Sequence, residues 1–146
     1  MANLEYYWNE WDEDSKIDRT ELGEESIKIP QLHHKYYKFY SAERLKLTKH
    51  NKQLQLLKKQ KFLWYMGTLS EEELSDLGWS PNPLRIIKQD VPMYIDADKD
   101  VQDLELKVEY IKEKVDFLES VIKTLSIRSY QINNAINWEK FKVGIR

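Results

Sequence analysis

The residues best placed to do chemistry lie together. Lys58-Lys59-Gln60-Lys61-Phe62-Leu63-Trp64-Tyr65-Met66-Gly67 sets three lysines beside three aromatic rings, and Lys46, Lys49 and Lys52 extend the cationic run upstream. Ammonium groups track phosphates, and flat rings accept base stacking without regard to sequence, so this mixture is suited to single-stranded nucleic acid. The same residues also fit a solvated lysine face whose Phe62, Trp64 and Tyr65 plug a core. Composition alone leaves both readings open.

Other arrangements of reactive residues fail on inspection. There are no cysteines, which excludes a disulfide scaffold, a thiolate zinc site and a Cys nucleophile. Asp96-Ala97-Asp98-Lys99-Asp100 begins like a calcium loop, but Val101 stands where the loop needs glycine and Lys107 where it needs a bidentate Glu. Those aspartates suit a helix start better, one as cap and the others beside the positive end of the dipole. His33 and His34 are adjacent, so on a helix they diverge by about 100°, and Lys38 follows His34 at i+4 where a second ligand would stand. With glycines only at 23, 67, 78 and 144, no phosphate-cradling glycine loop can be built. The expectation is a non-enzymatic chain with no catalytic residue, no metal and no cofactor.

The elements that position the lysines follow from charge and periodicity. The 146 residues suit one domain of ordinary size, and a net charge of −2 hides a strong asymmetry. Residues 1–27 carry nine acidic and two basic side chains, whereas residues 28–61 carry ten Lys/Arg against the single Glu43. Such a block attracts polyanions locally. Pro30 suits the first turn of a helix. Gln31 to Met66 contains neither Gly nor Pro, which predicts one helix spanning roughly 54 Å, with Gly67 as its stop. On a wheel at about 100° per residue with Lys35 at zero, Lys35, Lys38, Lys46, Lys49, Lys52 and Lys59 fall between about 240° and 20°. Leu32, Tyr36, Phe39, Tyr40, Leu47, Leu54, Leu57 and Tyr65 occupy about 40° to 140°, and Lys58 and Lys61 lie off the lysine arc, toward that apolar side.

Further along, Ser70 and Glu73 form a capping box for a short helix over about 71–77, closed by Gly78. From Asp98, the residues Val101, Leu104, Val108, Ile111, Val115, Leu118, Ile122 and Leu125 are spaced 3, 4, 3, 4, 3, 4, 3. This heptad seam falters at Ser129 and resumes at Ile132 and Ile136. Each buried member contributes about 1.5–3 kcal/mol before entropy is subtracted, so the seam must pack against the first long helix, other subunits, or both. We therefore expect an all-α fold in four parts: an acidic arm (1–29) with a short helix, a basic amphipathic helix (30–67), a Pro/Gly-broken connector (68–97), and a heptad-patterned oligomerisation region (98–146). No apolar run is long enough to span a membrane, and the N-terminus lacks an export signal's basic and apolar regions, so a soluble intracellular protein is expected.

Four segments carry a family resemblance: Pro30-Gln-Leu-His-His-Lys-Tyr-Tyr-Lys-Phe-Tyr40; Lys59 and Lys61 ahead of Trp64-Tyr65 and Gly67; Asp98-Lys-Asp-Val101; and the tail from Leu118 through Arg128-Ser-Tyr-Gln-Ile-Asn-Asn-Ala-Ile-Asn-Trp-Glu-Lys-Phe141 to Gly144. In these the chain resembles the UvsY-like recombination mediators of T-even-like phages, in the version of their marine relatives. The resemblance implies a ring-like homo-oligomer, a hexamer or heptamer, joined through the helical C-terminal part and working in the cytoplasm of the infected bacterial host. It further implies a protein that binds single-stranded DNA, weakens the coat of the phage single-stranded-DNA-binding protein, and helps a RecA-like recombinase load in recombination, repair and replication. Lys59 and Lys61 match the family's DNA-contacting basic positions. The second is often Arg in relatives, and Lys keeps the charge without the bidentate fork. With these two, Lys46, Lys49, Lys52, Lys58, Trp64 and Tyr65 form the expected DNA-binding set. The competing reading is a coiled-coil scaffold or adaptor with an unused lysine face; a duplex-binding regulator lacks a tight turn beside a recognition helix.

Overall fold

The computed structural model describes residues 2–144; positions 1, 145 and 146 of the expected first and last segments lie outside the described residues. The chain is all-α: α1 (Leu4–Asp14), α2 (Leu22–Met66), α3 (Glu71–Leu77), a 3-10 turn (Lys88–Asp90), α4 (Val91–Asp96) and α5 (Lys99–Lys142). Two compact units divide it, residues 1–45 with 111–146 and residues 46–110, and each long helix contributes to both.

In the first unit, α1 is longer than the arm expected from sequence. Its Tyr7 and Trp11 pack with Tyr36 and Phe39 of α2 and with Leu118, Val121 and Leu125 of α5. Polar contacts fasten α1 as well. Arg128, almost wholly buried, donates to the carbonyls of Asp14 and Ser15 at 3.0 and 2.9 Å, satisfying groups that a helix end leaves unpaired. Lys35 pairs with Glu10 and Asp14, each at 2.7 Å, and Tyr36 donates to Asp14 at 2.8 Å. Part of the acidic arm thus lies on the basic helix of its own unit. Burial and the Asp14 carboxylate together push the Tyr36 hydroxyl far above the ordinary phenol range.

Pro30 corrects the expected boundary: α2 begins at Leu22, and the proline lies inside it. An interior proline costs about 3 kcal/mol, so the preceding turns need tertiary support. Leu22 supplies some, lining a groove with Ile136 and Val143, while Glu25 is buried and paired with Lys28 at 3.3 Å. Pro92 differs in the opposite sense. It reads as a breaker, yet it sits in the first turn of α4, where its missing N–H is not needed.

The second unit forms around Val91, Ile95 and Val101, packed by Leu54, Leu57, Phe62, Tyr65, Met66 and Ile86. Gly67 ends α2 as expected, at φ +71°, with Gly67 N–H donating to Trp64 O and Thr68 N–H to Leu63 O. The capping box of α3 is formed by Ser70 and Glu73, and Gly78 closes it at φ +70°.

Val101, Val108, Ile111, Val115, Leu118 and Leu125 are buried within the single chain, and Leu104 and Ile122 are half-buried. Of the partners open to the seam, its own chain already covers most of it. Where the pattern falters, Ser129 is exposed and its neighbour Arg128 turns inward instead.

Candidate nucleic-acid interface

All eight residues of the expected DNA-binding set belong to the second unit, but α2 sends them in different directions. Lys49, Lys52 and Lys59 are exposed and have no carboxylate at ion-pairing distance among the described residues; Lys46 is half-buried. Lys59 borders a groove of about 300 Å³ between α2 and α3, walled by Leu56, Leu63, Leu69 and Leu77, with Glu73 and Asp76 at its edge. Lys58 is half-buried and pairs with Glu105 of α5 at 3.4 Å. At an ion pair so open to water the mutual attraction is small.

Lys61 is the exception. It is 7% exposed, and its ammonium lies 3.2 Å from Asp98 and 2.9 Å from Asp100. The same nitrogen stands 4.6 Å from the Trp79 ring and 5.4 Å from the Trp64 ring, within cation–π range. Tyr65 donates its hydroxyl to Asp98 at 2.6 Å, and Asp98 Oδ1 accepts the Val101 N–H at 3.1 Å, capping α5 as the aspartate spacing suggested. Burial acts to raise the Asp98 pKa, but the hydrogen bonds from Tyr65, Val101 and Lys61 with the Lys61 charge outweigh it, holding the carboxyl below its ordinary value.

The aromatic residues are engaged inside the unit too. Trp64 donates its indole N–H to Ser80 O at 2.7 Å and meets Tyr65 and Trp79 edge-on. Tyr65 also touches Tyr94, at 5.8 Å between ring centroids. Burial and the Asp98 bond raise the Tyr65 pKa well beyond the phenol range. In this structure both rings help to build the core edge.

Sequence reasoning noticed Asp98, Asp100 and Glu43 but did not pair the aspartates with Lys61 or Glu43 with Lys114. Glu43 is fully buried in the first unit and pairs with Lys114 at 2.8 Å; with Lys61, it falls near 80° on the helix wheel, within the apolar arc. An ionisable residue on an apolar stripe signals a buried pair, since an unpaired charge there is very costly. On α5, Lys114 and Arg128 are buried in line with Val121 at seven-residue spacing; Lys114 pairs with Glu43 and Arg128 donates to the Asp14 and Ser15 carbonyls.

The chain is all-α, and one of its units carries a cationic helix face at Lys49, Lys52 and Lys59, the kind of surface that attracts polyanions. Residues 10–145 match the family described as "Recombination, repair and ssDNA binding protein UvsY", and the chain belongs to that family. Among solved structures it is similar to the bacteriophage T4 recombination mediator protein UvsY in several crystal lattices. One match has a TM-score of 0.84 at 22% identity, covering 98% of this chain and 99% of that one. Others have TM-scores of 0.83 and 0.79 at 21% identity, covering 96% and 92% of this chain and 99% and 97% of theirs. No curated protein matches the chain. No helix among the described residues is long and apolar enough to cross a membrane.

Proposed function

We propose that this chain is a recombination mediator that binds single-stranded DNA on the exposed lysine face of α2, at Lys49, Lys52 and Lys59 with Lys46 beside them. It weakens the coat of the phage single-stranded-DNA-binding protein and promotes loading of a RecA-like recombinase, acting as a homo-oligomer of six or seven copies in the host cytoplasm. The observation that carries the reading is the exposure of Lys49, Lys52 and Lys59, with no carboxylate at ion-pairing distance among the described residues, in a member of a single-stranded-DNA-binding family. The strain placed on the coat is mechanical in origin. A strand drawn across several weak sites gains effective concentration at each, and its path then competes with the one the coat protein imposes.

The test is fluorescence anisotropy with a labelled oligothymidylate at several salt concentrations, with duplex as competitor. Binding that prefers the single strand is expected, with log K falling by about 0.7 per phosphate neutralised as log salt rises. Lys59→Ala should weaken binding and flatten that slope, with oligomer mass and Tm unchanged. A steep, unchanged slope would remove Lys59 from the site. No binding at low salt would leave the lysine face solvated and favour a scaffold.

A further inference from the structure

We infer that Lys61 is a positioning residue: it locks the end of α2 to the head of α5 and so turns Lys59 outward, and it does not itself contact the strand. The inference rests on the single-strand-binding reading above. Residues two apart on a helix are separated by about 200°, so Lys59 and Lys61 cannot share one face. Whichever points inward sets the roll of the helix for the other. The structure points Lys61 inward, between Asp98, Asp100 and the rings of Trp64 and Trp79, and leaves Lys59 exposed.

For Lys61 to reach a phosphate, its ammonium would have to leave both carboxylates. Asp98, itself only 8% exposed, would keep a buried charge with one fewer partner. Asp98 also caps α5 and accepts the Tyr65 hydroxyl, so the loss would spread to the α5 terminus and to the last turn of α2. A lysine held by four neighbours is thus built into the unit, whereas Lys59, two residues earlier, has no ion pair among the described residues.

The test separates a charge needed by the fold from one needed by the strand. Lys61→Met keeps the stem and places a sulfur beside the rings, but strands the aspartate. Adding Asp98→Asn removes that stranded charge, and Asn remains a good helix cap and an acceptor for Tyr65. Tm and oligothymidylate affinity across salt are measured for the parent, Lys61→Met and the double variant. We expect Lys61→Met to lower Tm by roughly 10 °C or more. The double variant should recover most of that loss and bind within about twofold of the parent, with the parent's salt slope. A double variant that regains the parent's Tm yet binds less tightly, with its slope reduced by about 0.7, would make Lys61 a phosphate contact. A double variant no more stable than Lys61→Met would overturn the lock itself. If the parent binds no single strand, the proposed function falls and takes this role with it, while the two Tm values still report on the lock alone.

Discussion

At the scale of the residue, this chain separates lysines that pair with acids from lysines that stand exposed without an ion pair among the described residues. Lys28, Lys35, Lys58 and Lys61 pair with acids, while Lys49, Lys52 and Lys59 do not among the described residues. Asp98 is the buried partner of Lys61, and its lowered pKa has a consequence for acid stability. A carboxyl whose pKa is lower in the folded than in the unfolded state stabilises the fold above the unfolded value, near 3.9, and loses that contribution as pH falls through the folded value. Asp18, lowered by its hydrogen bonds to Thr20, acts in the same direction but is fully exposed. Tm should therefore fall as pH is lowered from about 5 toward 3. Asp98→Asn should be less stable than the parent at neutral pH and converge with it in acid. Parallel thermal melts across that range check this; curves that stay equally separated would mean that Asp98 is not the titrating group.

At the scale of the element, the sequence was legible where local chemistry decides and opaque where packing does. Ser70, Glu73, Gly67, Gly78 and Asp98 act through backbone groups a few residues away, and their helix starts and stops fall as their types imply. Pro30 and Pro92 were misjudged because a proline's effect depends on which turn it occupies, and that depends on distant partners such as Ile136 and Val143 for Leu22. The heptad seam marked the apolar face of α5, but a seam does not say whose side chains cover it. Leu118, wholly buried against α1 and α2 of its own unit, makes the distinction measurable. Leu118→Ala should cost about 2–5 kcal/mol of stability. Leu118→Asp should unfold the first unit, detected as a loss of helical circular dichroism. A Leu118→Asp chain that remained fully helical but changed only its oligomer mass would place this position between subunits.

At the scale of the whole molecule, the remaining free charge sets what one chain can do. Three exposed lysines on one unit neutralise at most a few phosphates, and each contributes a salt-dependent, sequence-independent attraction. Lys28, Lys35, Lys58 and Lys61 of the basic block are held in ion pairs, and in the proposed homo-oligomer repetition of the exposed sites would firm the hold on the strand. The seam is mostly covered within the chain, so in the proposed homo-oligomer subunit contacts would draw on other apolar surface. On α5, Ile127, Tyr130, Trp138 and Phe141 are all more than half exposed. At 100° per residue they fall within about 80° of one another, on one stripe, and the Trp138 and Phe141 rings stack at 5.5 Å. Joining copies through this stripe buries aromatic surface that a lone chain leaves in water. Trp138→Asp with Phe141→Asp should lower the assembly mass in light scattering while circular dichroism and Tm stay near the parent, because neither side chain supports the core. Strand affinity should drop with the mass, whereas the few contacts left in each chain keep a shallow salt dependence. If the mass is unchanged, the subunits meet elsewhere; if the mass falls and affinity does not, repetition is not what holds the strand.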